Sequence, residues 1–261
     1  MKYILPFLCF ISIAFYNCDN KKSDEDVGTL NNAHANPPAD GFNLDDSDAE
    51  AMLIADDVME AMGGYKNWKK TRFISWNFFG RRSLLWDKWT GDVRIEIEAT
   101  KEIILVNVHD STGQAMVDGK VMTKADTLQE KYLNKAITIW INDSYWLVMP
   151  FKLKDSGVTL KYIGKAQTVK DTTTAKVLQL TFENVGLTPE HKYHVYVDTT
   201  TNLVCQWDYF ENAANEKARF STPWKDYTTH GNIKLSGNRG KGQLTDIEVL
   251  KKVDSKRFSE F

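Results

Sequence analysis

"TRFISWNFFGRR", residues 71 to 82, decides the architecture. In an extended chain Ile74, Trp76 and Phe78 fall on one face and Phe73, Ser75, Asn77 and Phe79 on the other, because alternate side chains of a strand point to opposite sides. Aromatic residues on both faces mark a strand covered on both sides. Downstream, "DVRIEIEA" (92–99) alternates more cleanly, with Val93, Ile95 and Ile97 inward and Arg94, Glu96 and Glu98 outward. "KEIILVNVHD" (101–110) follows, before a turn at "DSTG". Further strand candidates are "VTLKYIG", "TAKVLQLTFEN", "HKYHVYVD", "NLVCQWDYFEN", "KARFSTPWKDYT" and "GQLTDIEVLKK", each short and bounded by turn residues. With no regular alternation of strand and helix, this pattern predicts a mainly β, α+β chain: a curled antiparallel sheet of about eight to eleven strands. The apolar face of such a sheet needs a cover.

Helices supply it. In "SDAEAMLIADDVMEAMGG" (47–64), Ser47 and Glu50 have capping-box spacing. Met52, Ala55, Met59 and Met62 recur at helical spacing, and Gly63-Gly64 closes the element. In "KADTLQEKYLNKAITIWIND" (124–143), Leu128, Tyr132 and Ala136 share one side and predict a helix near 126–136. Ile137, Ile139 and Ile141 then switch to a period of two, and the apolar run Tyr145 to Phe151 contains the helix breaker Pro150.

The N-terminus reads as an export signal. Lys2 precedes the apolar run "YILPFLCFISIAFY" (3–16), which is too short to span a bilayer and is followed at once by charge. Residues 1–17 resemble a bacterial lipoprotein signal peptide, with Cys18 as the lipidated first residue of the mature chain; Asn17 departs from the small residue usual there. Two or more acyl chains, at about 0.8 kcal/mol per buried methylene, make a stable anchor. A plain signal peptide is the alternative. Residues 18–46 read as the lipidated cysteine and a flexible acidic tether, and 47–261 as a single domain. The net charge of −2 hides a split: twelve acids against two lysines over 19–60, but 23 acids against 30 bases over 61–261. A basic body is compatible with anionic headgroups or other anions, but the bases are scattered along the chain and read as a solvated surface; no nucleic-acid partner is expected. The acidic "SDED" (23–26) is similar to signals that send lipoproteins to the outer face of the outer membrane.

Three stretches carry a family resemblance: "EAMGGYKNW" (60–68) leading into "FISWNF", the helical insertion ending in "YWLVMPFKL" (145–153), and the hairpin "YHVYVDTTTNLVCQWDYF" (193–210). Over roughly residues 47–250 the layout resembles the LolA-like and LppX-like lipoprotein-sorting (lipoprotein carrier) proteins of Gram-negative bacteria. The resemblance implies a half-barrel closed by helices, with an apolar cavity for acyl chains between the concave face and the helices. Trp76, Phe78, Trp146, Met149 and Phe151 are the cavity-lining candidates it implies. The expected partners are a membrane, through the anchor, a lipid or other apolar small molecule, and another envelope protein. The expected location is the outer membrane, facing the periplasm or the surface. The sorting carrier itself is unlipidated, so an anchor at Cys18 departs from it and makes the anchored relatives the closer analogy.

Catalytic signatures do not form. His191 and His194 are three apart, a spacing that places them on opposite faces of a strand. Glu96 and Glu98 share the polar face of a strand pattern, and "SGNRGKG" (236–242) has Leu235 where a phosphate-binding loop needs glycine, so it reads as a hairpin turn. No cofactor or metal is expected. Cys205, among strand formers, reads as a small buried hydrophobe. The competing readings are a glycan-binding protein stacking sugars on exposed Trp86 and Trp89, a structural or protein-binding lipoprotein, and a hydrolase without a recognisable motif.

Overall fold

The computed structural model describes residues 36–123, 127–183 and 186–261, and residues 34–261 form one compact unit. The signal peptide, Cys18 and most of the tether lie outside the described residues.

Two helices open the unit: α1 (Ala49–Ala61) and α2 (Tyr65–Lys70). There follow β1 (Phe73–Phe78), β2 (Arg82–Asp87), β3 (Asp92–Ile97), β4 (Glu102–Asn107), β5 (Gly113–Val117) and β6 (Lys120–Val121). The long helix α3 (Thr127–Val148) ends in a 3-10 turn, Met149–Phe151. Next come β7 (Val158–Gln167), β8 (Thr174–Phe182), β9 (Lys192–Asp198), β10 (Val204–Phe210) and β11 (Phe220–Pro223). The chain finishes with β12 (Lys225–His230), β13 (Ile233–Arg239), β14 (Gly242–Leu250) and a short 3-10 helix, Ser255–Phe258. The strands form two antiparallel sheets, ordered β12-β13-β14-β1-β2-β3-β4-β5-β6 and β11-β10-β9-β8-β7. Neither closes on itself, as expected of a curled half-barrel, and helices lie against the inner faces.

The strands outnumber the eight to eleven read from periodicity. "RSLLWD", "GQAMV" and "IKLSGNR" are strands that alternation does not flag, and "KARFSTPWKDYT" is two strands broken at Trp224. Cross-strand partners compensate for weak local pattern: Leu84 and Trp86 of β2 face Trp76 and Ile74 of β1 across the ladder.

Both helix expectations change in detail. The Ser47–Glu50 capping box does not form. Ser47 Oγ donates to the Asn43 carbonyl and accepts from Leu160 N–H, while Asp48 accepts from Tyr162 N–H at 2.9 Å, so these residues join α1 to β7. At the far end of α1, Gly63 adopts φ +113°, and a Cβ there would lie 2.4 Å from the Asn232 carbonyl oxygen, so glycine is required. The isoleucine alternation at 137–141 is not a strand. α3 runs unbroken to Val148, with Leu133, Ala136, Ile139 and Leu147 buried along one stripe, and Pro150 falls in the 3-10 turn that ends it.

Candidate ligand-binding site

The inner faces of both sheets mix aliphatic and aromatic side chains: Trp76, Phe78 and Trp86 stand among the aliphatic residues of the nine-stranded sheet, and Leu160, Leu178, Leu180, Val195 and Val197 among the rings of the five-stranded one. On the nine-stranded sheet Ile74, Leu84, Val93, Ile95, Ile104 and Val106 form an aliphatic floor, each buried. On the five-stranded sheet the ladder places Tyr193 opposite Tyr209 and Tyr209 opposite Phe220. Phe182 meets Tyr193 edge-on with centroids 5.8 Å apart, and Trp207 stacks on Tyr193 at 5.0 Å.

α3 lies between these faces and treats them differently. Its polar side chains reach the nine-stranded sheet: Gln129 Nε2 donates to the Gly113 carbonyl at 2.9 Å, and Lys135 Nζ lies 2.5 Å from Glu102. Asp143, wholly buried in the apolar stripe, receives a two-pronged bond from Arg82, at 2.5 and 2.7 Å. Burial raises the Asp143 carboxyl above the usual carboxylate range, and the Arg82 and Asn142 donors oppose that shift. Arg239 of β13 closes the helix C-terminus by donating to the Trp146 carbonyl at 2.7 Å, and its guanidinium lies 3.4 Å from the Trp224 ring centroid. Burial pushes this guanidinium down to about 9. Its other bonds go to Ser236 and to the Asn238 carbonyl. The positive end of this clamp faces the negative end of the helix dipole.

Toward the five-stranded sheet α3 offers rings. Tyr145 stacks on Trp207 at 5.9 Å and Trp146 meets it edge-on at 4.8 Å; rings also meet the nine-stranded side, where Trp146 lies edge-on to Phe79 at 5.5 Å and Trp140 to Trp86 at 5.4 Å. Among the described residues no hydrogen bond or ion pair joins α3 to β7, β8, β9, β10 or β11. The Tyr145 hydroxyl and the indole N–H groups of Trp76, Trp86, Trp140, Trp207 and Trp224 are buried with no hydrogen-bond partner. Buried polar atoms are ordinarily paired, so this concentration around one helix calls for a cause.

Four of the five cavity candidates are core residues: Trp76, Phe78, Met149 and Phe151 are all at most 5% exposed. Trp146 is half-buried and is the candidate that faces the aromatic sheet. Among the described residues, concavities of about 600, 430 and 430 Å³ open along the outer face and rim of the nine-stranded sheet. Trp76 borders the first, together with Ser75, Leu85, Arg94 and Glu248.

The sugar platform does not form. Trp86 is buried against Trp140, ring centroids 5.4 Å apart, whereas Trp89 is exposed. His191 bonds the Tyr209 hydroxyl at 2.9 Å and His194 packs on Phe210. Cys205 is half-buried, and burial raises its thiol to about 12. Arg82, Asp143 and Arg239 were not singled out in the sequence. Asp143 lies in "NDS" (142–144), a polar stretch with no local sign of burial, and Arg239 inside what reads as a turn, where only the strand pairing reveals burial.

The sequence matches no family profile and no curated protein. Among solved structures, the chain is similar over 80% of its length to a DUF1329 family protein from Desulfovibrio piger, covering 96% of it, with 13% identity and a TM-score of 0.42. It is similar to the same extent of chain in an outer membrane lipoprotein-sorting protein domain from Vibrio parahaemolyticus, with 7% identity and a TM-score of 0.40. A LolA superfamily protein from Nitrosomonas europaea is similar over the same shares, with 8% identity and a TM-score of 0.41.

Proposed function

We propose that this chain is an envelope lipoprotein that binds an acyl chain or other apolar ligand between α3 and the five-stranded sheet, without a catalytic step, in lipid or lipoprotein transport. The observation that carries this reading is the one-sided fastening of α3. Hydrogen bonds, ion pairs and some rings hold it to the nine-stranded sheet, whereas among the described residues it meets the other sheet through ring contacts and no hydrogen bond or ion pair, beside unpaired Tyr145 Oη and Trp207 Nε1. Ring contacts bury area that a hydrocarbon chain can also cover, at a cost of about 0.5–1.5 kcal/mol for each ring pair given up, and ester or carboxyl oxygens of a lipid would accept from the waiting donors. Trp146 is then the lining residue that moves first. Trp76 and Phe78 belong to the pinned, nine-stranded side and Met149 and Phe151 to the buried 3-10 turn, so of the five candidates Trp146 is the one placed in the seam. An anchor at Cys18 would keep the binding unit at a membrane.

The test is native mass spectrometry of residues 34–261 recovered from a bacterial periplasm, followed by titration with fatty acids carrying a quenching label on the chain. Stoichiometric lipid and quenching of tryptophan emission support the reading. A clean apo mass with no quenching sinks it.

A further inference from the structure

The fold brings Lys88 and Lys152 beside the lysines of α2. Lys66, Lys69 and Lys70 of α2 are exposed, and Trp89, just past β2, is 57% exposed. The neighbouring Lys88 reaches back over Trp68, its Nζ 4.6 Å from the ring centroid, and Trp68 stacks on Phe151 at 4.3 Å. Trp89 is held in position: its Nε1 donates to the Lys69 carbonyl at 3.1 Å, and the Arg72 guanidinium lies 5.1 Å from its ring centroid.

The positive charge here is not cancelled. Asp87 is engaged by Arg72, 2.8 Å away, and Asp155 by Lys152. Lys66, Lys69, Lys70 and Lys88 have no carboxylate partner among the described residues. Burial, with Lys152 and Lys69 close by, pushes the Lys88 ammonium down to about 8. The chain also enters the compact unit on this flank. Asn36 donates to Asp56 at 3.0 Å, and Ala39 N–H to the carbonyl of Lys154, two residues beyond Lys152.

We propose that this basic and aromatic surface docks the unit on an anionic phospholipid bilayer, with Trp89 entering the boundary between headgroups and acyl chains and the four lysines lying against phosphates. A bilayer fits better than a free anion for two reasons. Lys66, Lys69 and Lys70 share one face of α2 and are exposed to solvent rather than enclosed in a pocket that would seat a single anion, and an exposed indole gains nothing from a soluble phosphate but is favoured at a membrane interface. Entry of the chain on the same flank suits a tether that runs back to the same membrane. The inference stands independently of the apolar-ligand reading, since it uses a different surface.

Cosedimentation of residues 34–261 with phosphatidylcholine vesicles, with and without phosphatidylglycerol, tests it. Binding is expected only with the anionic lipid, and high salt should abolish it. The triple variant Lys66→Gln, Lys69→Gln, Lys70→Gln should bind about tenfold more weakly or worse. Trp89→Ala should weaken binding while leaving its salt dependence intact. Lys120→Gln with Lys131→Gln, on β6 and α3, should leave it unchanged. Because the replaced side chains are exposed, thermal melts serve to confirm that each variant is folded. Equal binding to neutral vesicles, full binding by the triple variant, or displacement by inorganic phosphate alone at modest concentration would each overturn the proposal.

Discussion

α3 meets two surfaces of one core in two different ways. Toward the nine-stranded sheet it is pinned by directional bonds from Gln129, Lys135 and Asp143 to β5, β4 and the start of β2, with Trp140 edge-on to Trp86. On the aromatic side Tyr145 and Trp146 rest on Trp207 and its neighbours without a directional bond. The difference separates a wall that defines where the helix sits from a seam along which it can part. Unpaired donors occur on both sides, Trp76, Trp86 and Trp140 on the pinned one, and the Tyr145 hydroxyl and the Trp207 indole are those that lie in the seam.

The largest effect that would break this contrast comes from the pinned side. Arg82→Met leaves the Asp143 carboxylate buried without its partner and is expected to cost about 3–5 kcal/mol in urea unfolding at neutral pH. The sign with pH follows from the raised Asp143 carboxyl. Between the unfolded value, about 3.9, and the higher native one, the folded state holds the extra proton, so stability falls as pH rises through that window. Loss of Arg82 widens the window, and the variant should recover part of its stability toward pH 4. A flat profile would mean that Asp143 finds another partner.

Next in size, Ile104→Ala on the aliphatic floor should cost about 2–5 kcal/mol in thermal or urea unfolding, through lost burial and a cavity. Its ligand uptake should be unchanged once the unit is folded. A binding defect there would erase the distinction between floor and seam.

A smaller effect sharpens the comparison from the other side. Trp207→Phe removes an unpaired indole N–H but keeps a ring in the stack, so the reduced packing is partly offset by relief of a buried unsatisfied donor. The expected stability change is about 1 kcal/mol, with a larger proportional loss of lipid affinity in the quenching titration. Loss of stability comparable to Ile104→Ala, with affinity untouched, would make the aromatic side an ordinary core.

The smallest effect concerns the rim. Asp171 is held below the usual carboxylate range by Lys225 and the Thr168 hydroxyl, with Lys225 Nζ at 2.5 Å. A depressed acid stabilises the fold above its unfolded value and loses that contribution as pH falls below about 4. Both side chains are well exposed, so Asp171→Asn should cost no more than about 1 kcal/mol at pH 7, and less in high salt. Differential scanning at two ionic strengths reads it.

Much of this molecule was legible before any coordinates. Alternation in "FISWNF" and "DVRIEI" named β1 and β3, and the methionine spacing after Ser47 named α1, because burial on one face imposes its period on the chain. Those signals are local. They misread α3, whose Ile137, Ile139 and Ile141 alternate by accident of sequence while the helix buries a stripe that includes an aspartate. They also missed β2, whose apolar run has no alternation because its residues are covered on both faces.

By itself, the sequence determined the kind of elements and the presence of an aromatic-rich interior, since period and composition act within a few residues. What lies between distant residues was decided by the tertiary structure alone. Arg82 meets Asp143 across 61 positions and Arg239 meets Trp146 across 93, and no local pattern encodes either. The gathering of Lys88 and Lys152 beside α2, and the choice of which face of α3 is pinned, follow from strand register and helix docking. Those are properties of the whole folded chain, because a charge or a donor is satisfied by whatever packing brings near it.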